Sequence, residues 1–136
     1  NLEIFDKTRN WLDRYFKQEK PEISEISLAP EGNTFRQCVW KFLCEIPYGE
    51  TITYGELAKK VAKKLNKTSM SAQAVGNAVG HNPISIIIPC HRVVGKNGSL
   101  TGYAGGIDKK IKLLEIENVN MEKFFVPKIE NRKNFE

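Results

Sequence analysis

No stretch of the 136 residues approaches the roughly 20 consecutive apolar positions that a membrane-crossing helix needs. The N-terminus also lacks the charged, apolar and small-residue succession of a secretory leader. The chain therefore reads as cytoplasmic, with no membrane partner. Cysteine and histidine are scarce as well. Cys38, Cys44 and Cys90 form an odd number without a spaced framework, which speaks against a disulfide scaffold and fits a reducing compartment. With only His81 and His91 beside them, no CxxC or HxxxH pair exists, so no metal is expected. Internal repeats and low-complexity tracts are missing too. The first residue is Asn1 rather than Met, which points to a trimmed start.

What is present suits one domain with a real core. The hydrophobic content is 40% and the charged content 27%, and the length is too short for two full domains. The net charge of +5 says little until its placement is known.

Apolar residues Ile4, Phe5, Trp11, Leu12, Tyr15 and Phe16 recur at helical spacing and predict one amphipathic helix. A polar connection with two prolines follows, from Lys17 to Asn33, and marks the likeliest boundary. Phe35, Cys38, Val39, Phe42, Leu43 and Ile46 then share one helical face, with Cys38 on the core stripe and Cys44 beside it. Thr53 and Glu56 form the T-x-x-E of a capping box ahead of Leu57, Ala58, Val61, Ala62 and Leu65. The opposite face carries Lys59, Lys60, Lys63, Lys64 and Lys67, either a solvated face or a phosphate-tracking stripe. A short helix of small residues, Ala72 to Val79, comes next, with Ser69 or Ser71 as its cap and Gly80 as its stop. Such side chains permit close approach, either to the preceding helix or to a nucleic-acid groove. The β-branched run Ile84 to Ile88 reads as a strand, and Asp108 as the cap of a last helix burying Ile107, Ile111, Leu113 and Leu114. From Asn118 onward the tail is expected to fray.

Cys90, His91 and Arg92 follow the isoleucine run directly. A free cysteine is usually a small core hydrophobe. It becomes a nucleophile only as thiolate, which needs a base, a positive charge or oriented donors nearby. His91 is adjacent, Arg92 carries fixed charge, and Glu117 on the last helix can orient the imidazole. The triplet alone suits acyl transfer or proteolysis equally.

The wider motif is more specific. "IPCHRVV" at Ile88 to Val94, flanked by "GHNPISII" and "GYAGG" and joined by "VWKFLCEIPYGETITYGELA" and "AVGNAVG", resembles the O6-alkylguanine-DNA alkyltransferase family, from Thr34 to Asn118. The resemblance implies single-turnover repair of double-stranded DNA by a monomer, without cofactor. A methyl or larger alkyl group would pass from O6-alkylguanine, with O4-alkylthymine as a further substrate, to Cys90. His91 would be the base, working through water, and Glu117 its orienter. Asn82 would brace the turn, and Tyr54 would rotate the target phosphate and donate to the leaving guanine. Tyr103 and the backbone at Val93 and Gly105 would hold the flipped base beside Arg92. The small-residue helix, with Ala72, Ala74, Gly76 and Ala78, would enter the minor groove, and Gln73 stands where many members place an intercalating arginine.

The fold so implied is α+β: a mainly helical, winged-helix-like helix-turn-helix catalytic domain at residues 34–118. Residues 1–33 would be a reduced ribonuclease-H-like remnant and 119–136 a tail. "GKNGSLTGYAGG" would form a flexible wall closing on the base. A non-enzymatic damage-binding relative is the alternative, and such proteins replace the nucleophile that Cys90 supplies here. A DNA-binding regulator switched by the methylated cysteine is a third reading, although no extra sensor domain is present. A Cys-His hydrolase is more remote.

Overall fold

The computed structural model describes residues 2–26, 32–82, 84–101, 103 and 105–127. Helices dominate, and the strands are few and short.

Helix α1 runs from Leu2 to Phe16. Of the six apolar residues expected inside, only Trp11 and Tyr15 are fully buried and Leu12 half-buried, while Ile4, Phe5 and Phe16 stay exposed. Trp11 and Tyr15 lie one turn apart on a single face, whereas Ile4 sits seven residues, roughly 10 Å, further along the axis and beyond the cluster they enter. That cluster joins them to Ile87 and Leu113, so α1 packs on the chain's later half. The connection after α1 is pinned where it is described, because the Trp11 indole donates to the Glu22 carbonyl at 2.7 Å. Its centre, residues 27–31, lies outside the described residues.

Helix α2, Thr34–Cys44, is capped by the Asn33 side chain, which accepts from the Arg36 amide at 2.8 Å. Strand β1, Ile52–Thr53, leads into helix α3, Tyr54–Lys64. The expected capping box is present in both directions, at 3.0 and 2.9 Å between Thr53 and Glu56. All five lysines of the polar stripe are exposed. Helix α4, Ala72–Gly80, starts at the Ser71 cap, and Gly80 is its last residue rather than its stop. Helices α2, α3 and α4 pack together around Val39, Trp40, Leu43, Leu57, Val61, Val75 and Val79.

The small residues of α4 divide between two environments. Ala78 is buried and its carbonyl accepts from the Trp40 indole at 2.9 Å. Gly76 is half-buried, with the Tyr54 ring 3.7 Å from where a Cβ would stand. Only Ala72, Gln73, Asn77 and Gly80 face outward. Core packing therefore explains Ala78, and the groove reading keeps Ala72.

Residues Ile84 to Ile88 do not form the expected strand. The segment turns at Ile86, whose φ is +74°, and a single bridge links Ser85 with Ile88. The turn sends Ile87 into the α1 cluster and Ile88 into the α2–α4 cluster, and two separate cores outcompete an extended run. Strand β2, Val93–Val94, pairs in parallel with β1, Ile52 opposite Val93. Residues 95–101, in the first part of the expected flexible wall, contain a short 3-10 turn at Lys96–Gly98 and are pinned by Leu100 donating to the Phe125 carbonyl at 2.8 Å. Gly102 and Ala104 lie outside the described residues. Helix α5, Ile107–Ile116, is entered through Gly106 at φ +102°, so Asp108 sits within the first turn instead of capping it. The tail does not fray up to residue 127, because Phe124 packs beside Val94, Leu100 and Leu114. Its remainder, 128–136, lies outside the described residues.

The two faces of α4 give a test. Ala78→Leu should lower stability by about 1–3 kcal/mol through overpacking, while Ala72→Leu should stay within about 0.5 kcal/mol. Denaturant unfolding of both variants checks this, and equal effects would contradict the division.

Candidate active site

Pro89 ends the buried isoleucine segment, and Cys90–Arg92 form one 3-10 turn, entirely buried. Three residues per turn fan three consecutive side chains in three directions. Asn82 fixes the approach to the turn: its Nδ2 donates to the Ile88 carbonyl at 2.7 Å and its Oδ1 accepts from the Ile84 amide at 2.9 Å. The same side chain is placed to lower the pKa of the Cys90 thiol.

His91 and Arg92 both meet Glu117, which follows the last turn of α5. His91 Nε2 lies 2.6 Å from Oε2, Arg92 Nε donates to Oε1 at 2.8 Å, and Arg92 Nη2 donates to Oε2 at 3.0 Å. The Gly49 amide donates to Oε1 at 2.9 Å, from a turn whose φ of +81° suits glycine. Tyr15 of α1 donates its hydroxyl to Oε2 at 2.5 Å. Burial alone would raise the Glu117 pKa, yet the hydrogen bonds from His91 and Arg92 outweigh it and hold the group at about 2. An ionised carboxylate can only accept, so Nε2 of His91 carries a hydrogen. Burial pushes the imidazole below its ordinary pKa against the pull of Glu117, which leaves it neutral at pH 7. Its Nδ1 is then a lone pair, buried and without a hydrogen-bond partner among the described residues.

Burial pushes the Cys90 thiol up, while Asn82 and the positive charge of Lys110 pull it down. The thiol thus stays protonated at rest and needs a base. Cys38 and Cys44 are also pushed up by burial.

Lys110 is fully buried on α5. Its Nζ donates to the Thr101 carbonyl at 2.8 Å and stands 5.7 Å from the centre of the Tyr54 ring. Burial lowers its pKa from 10.5 to about 8, with Cys90 opposing. The Tyr54 hydroxyl donates to the same carbonyl at 3.2 Å, and burial keeps it protonated. Tyr103 is half-buried, interacts with the Ser85 and Cys90 side chains, and is pushed up to about 12, chiefly by burial. A Cβ at Gly105 would come within 2.8 Å of the Tyr103 ring, so any larger residue would have to displace that ring.

The structure thus brings Cys90, His91, Glu117, Asn82, Tyr54, Tyr103 and Gly105 around one turn. Val93 is buried in the strand pair and its amide donates to the Cys90 carbonyl. Arg92, expected beside the substrate, turns inward: it is 4% exposed and its Nη1 donates to the Ile46 carbonyl at 2.7 Å. Gln73 and Ala72 lie apart, exposed on α4. Among the described residues no group of His, Cys, Asp and Glu is placed to hold a metal ion. Sequence reasoning missed Lys110, whose only signal was a lysine at a core position of the Ile107, Ile111, Leu114 stripe. It also missed Tyr15, which reads as an ordinary core aromatic.

A buried nucleophilic thiol with a carboxylate-oriented imidazole defines a cysteine-based transfer centre, and its place behind α3 and α4 fits a DNA-handling protein. The sequence model of the 6-O-methylguanine DNA methyltransferase DNA-binding domain matches residues 34–119. A methylated-DNA–protein-cysteine methyltransferase of Methanosarcina mazei is 48% identical over 122 residues, 90% of this chain and 73% of the relative. One from Haemophilus influenzae is 48% identical over 118 residues, 87% of this chain and 63% of the relative. A crystal structure of Mycobacterium tuberculosis OGT in complex with DNA superimposes with a TM-score of 0.75 at 48% identity, covering 84% of this chain and 66% of that one. The chain belongs to the methylated-DNA–protein-cysteine methyltransferase family, and it spans about two thirds of the length of these relatives.

Lys110 carries a stability prediction with a defined sign. Below about pH 8 it is charged both folded and unfolded, so the burial penalty is fully present; it fades as pH rises from about 8 to 10.5. The gap corresponds to about 3 kcal/mol. Lys110→Met should therefore raise unfolding free energy at pH 7 by about 1–3 kcal/mol, with a smaller gain at pH 10. Tyr54 still serves the Thr101 carbonyl. Loss of stability at pH 7, by urea unfolding, would overturn this.

Proposed function

We propose that the protein repairs O6-alkylguanine in double-stranded DNA by moving the alkyl group irreversibly onto its own Cys90. The carrying observation is the buried thiol beside a neutral imidazole whose Nε2 hydrogen is committed to Glu117, so that Nδ1 is the available base. His91 takes the thiol proton through a water molecule as Lys110 steadies the developing thiolate. Sγ attacks the alkyl carbon in line, the S–C bond forms as the C–O6 bond breaks, and the electron pair leaves with guanine. Tyr54 donates to that guanine, and the proton lost from the thiol is the one regained by the base. The product is a thioether, which a neutral imidazole and water do not cleave, so each molecule acts once.

Helices α3 and α4 form the helix-turn-helix, winged-helix-like in its wider setting. The outward face of α4, carrying Ala72, Gln73, Asn77 and Gly80, enters the minor groove, and the α3 lysines follow the phosphates. A guanine stacked in the duplex cannot reach a thiol that is 6% exposed, so the base flips and meets Tyr103 and Gly105. Residues 34–118 make up this unit, with 119–136 as its tail. Residues 1–33, a helix and its linker, are read as a reduced ribonuclease-H-like remnant. The unit acts as a monomer without cofactor, and three unpaired cysteines suit a reducing, cytoplasmic setting.

Incubation with duplex DNA containing O6-methylguanine should add one methylene to the Cys90 peptide and stop at one equivalent, read by intact and peptide mass. Cys90→Ser should abolish transfer and keep DNA binding. Tight binding without mass gain would instead favour the damage-binding alternative. Gln73→Arg should strengthen duplex binding severalfold at matched salt, and an unchanged or weaker affinity would reject Gln73 as a groove residue.

A further inference from the structure

The Glu117 carboxylate receives a donor from outside the residues that define the family's DNA-binding domain. Tyr15 lies on α1, before residue 34, yet its hydroxyl is fully buried, 2.5 Å from Glu117 Oε2 and 3.4 Å from His91 Nε2. Its ring is stacked on Trp11 at 5.7 Å and meets Tyr48 edge-on at 5.8 Å, contacts that hold the hydroxyl oxygen beside Glu117. We propose that Tyr15 is a positioning residue of the alkyl-transfer site, which sets the basicity of His91 by drawing charge from the carboxylate oxygen that His91 shares. This rests on the transfer function proposed above.

Glu117 Oε2 takes the His91 hydrogen at 2.6 Å, the Tyr15 hydrogen at 2.5 Å and an Arg92 hydrogen at 3.0 Å. Each added donor withdraws density from the oxygen and weakens its hold on a protonated imidazole. An imidazole held too strongly in the charged form is protonated at neutral pH and cannot accept from the thiol. The other groups facing His91 do not duplicate this action. Arg92 and Lys110 oppose a positive imidazole through space, Glu117 favours it, Cys90 is the proton donor, and Tyr48 contacts Tyr15 and Arg92 instead of Oε2. Burial and the hydrogen bond to Glu117 raise the Tyr15 pKa, so the hydroxyl remains a donor throughout the working range.

The sign follows. Without the Tyr15 hydroxyl, Oε2 concentrates more charge on His91, the imidazole pKa rises, and the acid limb of the transfer rate moves to higher pH. In Tyr15→Phe the limb should rise by about half to one pH step, equivalent to about a 3- to 10-fold slower reaction below it. Replacement of Tyr15 by 3-fluorotyrosine, a stronger donor of nearly the same shape, should move the limb downward. The rate of alkyl transfer from O6-methylguanine duplex is measured against pH for the full chain and both variants. His91 is titrated in parallel by 13C and 15N NMR, a readout that needs no transfer. A purely packing role predicts coincident limbs and titration curves in all three proteins, and that result would overturn the proposal. Absence of transfer in the unaltered protein would refute the proposed function, and the His91 titration would still decide the role of Tyr15.

Discussion

Glu117 places a negative charge where water barely reaches, and much of the site's architecture can be read as the means of keeping it there. Five hydrogen bonds converge on its two oxygens, from Tyr15, Gly49, His91 and twice from Arg92. These donors come from α1, the loop after α2 and the cysteine-bearing turn, while the carboxylate itself ends α5. A buried ion left with fewer partners would destabilise the fold by several kcal/mol, so the group ties four separated segments to one geometry. His91 inherits its tautomer and orientation from this arrangement, and its unpartnered Nδ1 follows from them.

Charge around the thiol is balanced differently. Lys110 is buried with a carbonyl and an aromatic face as neighbours, and its charge is matched only as Cys90 ionises. The resting protein thus holds a protonated thiol near a buried cation, and deprotonation favours the cation while burial opposes the anion. A protein that reacts once can accept this tension, since no turnover requires the thiolate to be regenerated. Stability given up at Lys110 is recovered in the α2–α4 core, where Val39, Leu43, Leu57, Val61 and Val75 are all fully buried.

Local signals were legible in the sequence because both partners lie within one turn. The Thr53–Glu56 box, the Ser71 cap and the exposed lysine stripe all depend on spacing of three or four residues. Cys90, His91 and Glu117 were legible through the resemblance carried by the motif around Pro89. What failed depended on partners distant in the chain. The Ile84–Ile88 run looked like a strand because β-branched composition does not reveal whether another strand lies alongside. Ala78 looked groove-facing because a small residue fits equally well under Trp40. Arg92 looked available for substrate because nothing near it in sequence announces Glu117. Tyr15 and Glu117 are 102 residues apart, and no periodicity links them.

The alkyl-transfer chemistry depends on a His91 that is neutral at rest, with its hydrogen on Nε2 and a free Nδ1. The most direct measurement is the 15N chemical shift of both ring nitrogens of His91 in the unreacted protein at pH 7. A protonated, pyrrole-like Nε2 and an unprotonated, pyridine-like Nδ1 are expected. A hydrogen on Nδ1, whether in the other tautomer or in an imidazolium, would contradict it.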